Sequence, residues 1–156
     1  MRNSTADLAC GVSVGKEIEG FFVQSLREEA SKRGLAKLFT TYSGTAEDLH
    51  QGTDCKFGST RIDPTAGFEW KHSKNMRNWV ETGVELSFKY LTLKFAVRTG
   101  NNHRKFKFPV VVIGFDMPNN LIFRYEDAIE EEIRKNSAII LDTAVKVMKD
   151  YKRSIG

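Results

Sequence analysis

The stretch that most constrains the fold is FKFPVVVIGF, residues 106–115. Successive side chains on a strand point to opposite faces. Val110, Val111, Val112 and Ile113 are therefore apolar on both faces at once, and such a strand must be covered on both. The run predicts an inner strand. Before it comes ELSFKYLTLKFAVR, residues 85–98. Leu86, Phe88 and Tyr90 alternate, and then the phase moves to Leu91, Leu93, Phe95 and Val97. One residue of slip exchanges the two faces. The pattern predicts one long strand with a β-bulge at Tyr90-Leu91, joined to the inner strand by the turn TGNNHRK.

Helices flank these strands. Ile18, Phe21, Phe22, Leu26 and Ala30 recur at helical spacing, and Gly34 after Lys32-Arg33 is a stop signal. This predicts a helix from about Gly15, with residues 1–13 loose. Thr45 with Asp48 three places on reads as the start of a short helix ending at Gly52. Met117-Pro118-Asn119-Asn120 is a turn. Tyr125, Ile129, Ile133, Ile140, Ala144, Val147 and Tyr151 then mark one long C-terminal helix. Its acids (Glu126, Asp127, Glu130 to Glu132) lie early and its bases (Lys146, Lys149, Lys152, Arg153) late, which complements the helix dipole. The acids therefore read as helix stabilisation.

The whole is a single α+β domain, residues 1–156. A central mixed or antiparallel sheet of about four strands carries an N-terminal helix and a long C-terminal helix. The chain of 156 residues is long enough to bury one core without disulfides. Its two cysteines, Cys10 and Cys55, show no metal-ligand spacing, which fits a reducing compartment. No apolar run suits a signal peptide or a membrane span, and the expectation is a cytoplasmic protein. A net charge of +4 permits a polyanionic partner without requiring one. The three histidines are scattered, and no phosphate-binding glycine loop occurs.

Residues 52–71, GTDCKFGSTRIDPTAGFEWK, hold the chemistry. Gly58-Ser59 suits a tight turn between two short strands. A turn centred there pairs residues whose numbers sum to about 117, which sets Asp54 across from Asp63. Two facing carboxylates repel, and a cation is the natural remedy. Glu69 and Lys71 are two apart and share a face if extended. At ~3.3 Å per residue they lie too far from Asp54 unless the chain from Pro64 to Gly67 bends back. Pro64 itself fits only an edge or a bend. The competing reading is a charged hairpin with one solvated face.

Asp54 followed by Glu69-Trp70-Lys71 resembles the PD-(D/E)XK nuclease superfamily, whose pattern is an acid on one strand and Glu-x-Lys on the next. Here Gly52-Thr53 stand before Asp54, where the pattern has proline. A second registration puts Asp63 in the second acid position, with Lys71 as the displaced lysine. GKEIEGFFVQSL, from Gly15, resembles the first helix of archaeal Holliday junction resolvases, and Glu19 would be its acid, with Glu17 the neighbouring alternative. The resemblance covers about residues 15–71. It implies Mg²⁺ (or Mn²⁺) held by Asp54, Glu69, Asp63 and Glu19, with Lys71 orienting water or stabilising charge. It implies a DNA substrate rather than RNA.

Two segments suit a phosphate backbone. Residues 71–79, KHSKNMRNW, carry Lys74 and Arg77. Residues 98–108, RTGNNHRKFKF, carry Arg98, His103, Arg104, Lys105 and Lys107. Phe106 and Phe108 read as core. The alternative function is a non-catalytic basic domain of a phage or mobile element that binds nucleic acid or protein. A third reading is a homodimer built on the C-terminal helix.

Overall fold

The computed structural model describes residues 4–42, 53–66, 78–100, 105–116 and 119–156, with the backbone alone for residues 4–14 and 119–125. Helix α1 spans Ser4–Lys32. Six strands follow: β1 (Phe39–Thr41), β2 (Cys55–Phe57), β3 (Thr60–Ala66), β4 (Trp79–Ser87), β5 (Thr92–Gly100) and β6 (Lys105–Phe115). Two helices close the chain, α2 (Asn119–Lys135) and α3 (Ser137–Ile155). The fold is α+β, and the sheet is mixed, as expected. It has six strands among the described residues, in the order β1-β2-β3-β6-β5-β4, rather than about four.

The inner-strand prediction holds. β6 lies between β3, to which it is parallel, and β5, to which it is antiparallel. Val110 to Ile113 are fully buried. Register divides the sheet into two faces. Ile62, Val111, Ile113, Leu93, Phe95 and Val97 share one, and they cluster with Ile18, Phe22 and Leu26 of α1, Ile129 and Ile133 of α2, and Ile140, Leu141, Ala144 and Val147 of α3. The Phe22 and Phe115 rings meet at 5.1 Å between centroids. Burying each such ring contributes about 2–3 kcal/mol. All three helices thus pack on one face; the other, open face carries no helix among the described residues, and Val110 and Val112 on it are fully buried.

α1 begins at Ser4, eleven residues before the expected start at Gly15. Its end is as expected. Gly34 has φ 70°, its N–H donates to the Ser31 carbonyl at 3.0 Å, and the Leu35 N–H reaches back to the Ala30 carbonyl at 2.8 Å. A left-handed residue is what this closure needs.

Two other expectations are corrected. The phase change at Tyr90-Leu91 is a reversal of the chain: β4 and β5 are an antiparallel pair, with Leu86 opposite Leu93. The Glu132 carboxylate accepts the Tyr90 and Leu91 N–H groups, each at 3.0 Å, and so anchors the connection to α2. The bulge in this pair lies between Glu81 and Glu85, where Gly83 has φ 71°. The long C-terminal helix is two helices broken at Asn136, whose side chain donates to the Glu132 carbonyl at 2.8 Å. Because α2 starts at Asn119, no acid occupies its first turn, and the acids do not serve its dipole. Ile129, Ile133, Ile140, Ala144 and Val147 of the apolar stripe are buried inside the chain. The short helix expected over residues 45–52 lies outside the described residues.

Candidate functional site

The β2–β3 hairpin forms as the sequence predicts. Gly58 takes φ 62°, and the pairs Phe57 with Thr60, Lys56 with Arg61 and Cys55 with Ile62 all sum to 117. One residue further the ladder ends in a bend. The Asp54 N–H donates to the Ile62 carbonyl at 3.1 Å, and its own carbonyl accepts the Tyr42 N–H at 2.9 Å. Asp54 is thus pinned between β1 and β3, at the mouth of the hairpin beside Asp63. Asp54 is half-buried, and the Asp63 side chain is more deeply buried.

Pro64 shows why the hairpin ends there. The Ile62 carbonyl points toward β2, and Pro64, two residues on, turns the same way. β2 has already ended, so the missing N–H costs no ladder bond. Among the described residues Pro64 pairs only with Ile113 of β6. It is a local edge inside a central strand, in keeping with the expectation.

Asp63 projects onto the open face, and its counter-charge comes from within the chain. Arg98 Nη2 lies 2.8 Å from Asp63 Oδ2, with both side chains more than four-fifths buried. Arg98 pairs with Val110 and Asp63 with Val112, so the guanidinium reaches over β6 from β5 to β3. It also lies 5.4 Å from the centres of the Trp79 and Phe106 rings. A parallel stack stands beside it: Arg61 is 4.7 Å from the Phe108 ring centre and 5.9 Å from that of Tyr42. Lys107 Nζ is 5.5 Å from the Phe108 ring. Each cation sits over a negative ring face, worth about 0.5–2 kcal/mol by degree of desolvation.

Cys55 reports on the two acids. Burial raises its thiol pKa far above the ordinary value, and the charges of Asp54 and Asp63 raise it further. The thiol stays protonated and serves as a small core residue.

The expected site residues divide. Asp54 and Asp63 both lie at the mouth of the hairpin, and the charge of each reaches Cys55. Glu19 is half-buried on α1, the helix on the opposite face from the Asp63 side chain. Glu69, Lys71, Lys74, Arg77, His103 and Arg104 lie outside the described residues. Lys105 and Lys107 are exposed near the start of β6. Arg98, expected at a solvent-facing tip, instead holds Asp63. Among the described residues no three acidic, histidine or cysteine side chains gather to hold a metal, so Asp54, Asp63 and Glu19 do not make a complete site by themselves. Phe108, expected in the core, is 44% exposed. Its contact with Arg61 puts it on the open face, and its exposure follows from β3 pairing with β6 only from Val110 onward. No helix among the described residues is long and apolar enough to cross a membrane.

Compared with family models, with curated proteins and with solved structures, the chain matches none.

Proposed function

We propose that the chain is a nuclease-like domain that binds nucleic acid, DNA by the superfamily resemblance, on the open face of its sheet and cuts it at the mouth of the β2–β3 hairpin. The observation that carries this reading is the placing of two carboxylates, Asp54 and Asp63, beside a face built of arginines and aromatic rings. Carboxylate oxygens are hard donors of the kind Mg²⁺ takes. Asp63 already faces a guanidinium, which offsets its charge and makes it the poorer metal ligand. The donor set therefore fits best as Asp54 with Glu69, and Asp63 as the anchor of Arg98. A bound divalent ion would supply an activated water and neutralise phosphate charge. Lys71 would orient that water, and Arg61 would hold the phosphate backbone.

The test is cleavage of a labelled oligonucleotide with Mn²⁺ or Mg²⁺ by the wild type and by Asp54→Asn. Cutting that needs the metal and falls at least about 100-fold in the variant supports the reading, as loss of a residue that stabilises developing charge does elsewhere. Equal rates in the two proteins, or no cutting, would sink it.

The second reading is binding without catalysis. The Asp63–Arg98 pair favours it, because the cation that two neighbouring carboxylates call for is partly supplied by the protein. Metal-independent binding with no cleavage is its signature.

A further inference from the structure

We infer that the open face is a stacking platform for single-stranded nucleic acid, with Phe108 as a base-contacting residue and Arg61 and Lys107 beside it. This deepens the nucleic-acid reading above and rests on it.

β6 begins at Lys105, but β3 first pairs with it at Val110. The early part of β6 therefore runs on past β3 by five residues, about 16 Å of strand. The β5–β6 register shifts between Arg98 and Gly100, so parity does not place these rings; their contacts do, Phe106 with Arg98 and Phe108 with Arg61, both residues of the open face. Apolar side chains on a protein surface are ordinary when single. Phe108 is not a lone exposed ring, because its neighbours are cationic. Arg61 lies over the ring, Lys107 is adjacent, and Lys105 is exposed on the same strand. The second stack, Trp79–Arg98–Phe106, lies two strands from Arg61 through Val110, about 10 Å away.

Glu81 and Glu85 lie on this face at its β4 edge, and Arg98 is taken up by Asp63, so the basic, ring-bearing patch is Phe108 with Arg61, Lys105 and Lys107, and it suits an unpaired strand. Its bases expose π-faces for stacking, and its phosphates meet the cations. A duplex hides those faces, so it could use only the charges. An acidic peptide could also use only the charges. Charge complementarity together with exposed stacking area therefore selects a single strand.

The experiment is fluorescence anisotropy of a labelled twelve-nucleotide oligo-dT in EDTA, against the same-length duplex and a polyglutamate peptide. The proteins are wild type, Phe108→Ala, Phe108→Tyr and Arg61→Gln, each checked for native circular dichroism and melting. Phe108 is well exposed, so its truncation should leave the fold intact. Expected is tighter binding of the single strand than of the duplex. Phe108→Ala should weaken it by roughly tenfold, the scale of one stacked base, and Phe108→Tyr should restore it. Arg61→Gln should weaken it and flatten its salt dependence. Unchanged binding in Phe108→Ala, equal affinity for duplex, or preference for polyglutamate overturns the inference. EDTA removes the metal, so metal-dependent cutting of a duplex would leave the nuclease reading standing while this one falls. Absence of all nucleic-acid binding would end both.

Discussion

Arg98 Nη2 lies 2.8 Å from Asp63 Oδ2, and the contact spans the intervening strand β6. Three strands that are far apart in sequence are thereby tied on the open face. Over Val110 and Val112, both fully buried, the pair works in a poorly solvated place. Removing one member there leaves the other charged and desolvated.

Arg98→Met should therefore cost about 2–3 kcal/mol, below the range for fully buried pairs because some solvent reaches both groups. For a chain of this size that lowers the melting temperature by roughly 5–10 °C. The double variant Arg98→Met/Asp63→Asn should recover part of the loss. Thermal melts of the single and double variants measure the coupling, and strict additivity would show that the pair contributes nothing.

Glu132 is the only carboxylate seen to accept the N–H groups of Tyr90 and Leu91 among the described residues. Glu132→Ala removes the carboxylate that accepts these two part-buried N–H groups. The expected loss is about 1–3 kcal/mol, with Glu132→Gln losing less. Amide exchange should quicken first at Tyr90 and Leu91. Exchange unchanged at those two sites would remove Glu132 from its anchoring role.

Cys55 gives a pH signature. Burial, then the charges of Asp54 and Asp63, raise its folded pKa far above the unfolded value of about 9. The folded state therefore holds the proton more tightly. The stability it contributes is complete below pH 9 and declines as pH rises above 9, by at most about 1.4 kcal/mol per unit. Urea melts between pH 8 and 10.5 should show this slope, and Cys55→Ala should reduce it. In a Cys10→Ser background, thiol reagents should modify Cys55 at the rate of opening rather than on mixing. Prompt labelling would contradict its burial.

Asp54→Asn should leave the fold nearly as stable as the wild type, because the hairpin is held there by the backbone of residue 54, through Ile62 and Tyr42. A change within about 1 kcal/mol in urea melts is expected for a half-buried side chain. Loss of cleavage in a variant of intact stability then reports chemistry. A large loss of stability would make Asp54 a structural residue.

The sequence showed most plainly what local chemistry decides. Gly58 at the turn and the sum of 117 placed the hairpin pairs, and Pro64 marked where β2 must stop. Val110 to Ile113 marked the inner strand through their burial on both faces. The reversal at residues 88–91 was hidden because FKYL has no glycine, proline or asparagine to signal a turn. Glu132, more than forty residues away, does that work. The break at Asn136 was hidden because the apolar stripe keeps its phase across it. The Arg98–Asp63 pair depends on the parallel pairing of β3 with β6, a non-local choice that strand parity within one segment cannot reveal. Phe108 looked like core because it is apolar and adjoins the buried run from Val110, and the late start of β3 with the register shift in β5–β6 uncovers it.

The central claim is that a divalent metal is held at the hairpin mouth through Asp54. Calorimetric titration of Mn²⁺ into wild type, Asp54→Asn and Asp63→Asn, with and without single-stranded oligonucleotide, tests it most directly. The account predicts saturable binding in the wild type, none in Asp54→Asn and weakened but measurable binding in Asp63→Asn. No binding in the wild type under either condition, or undiminished binding in Asp54→Asn, would contradict it.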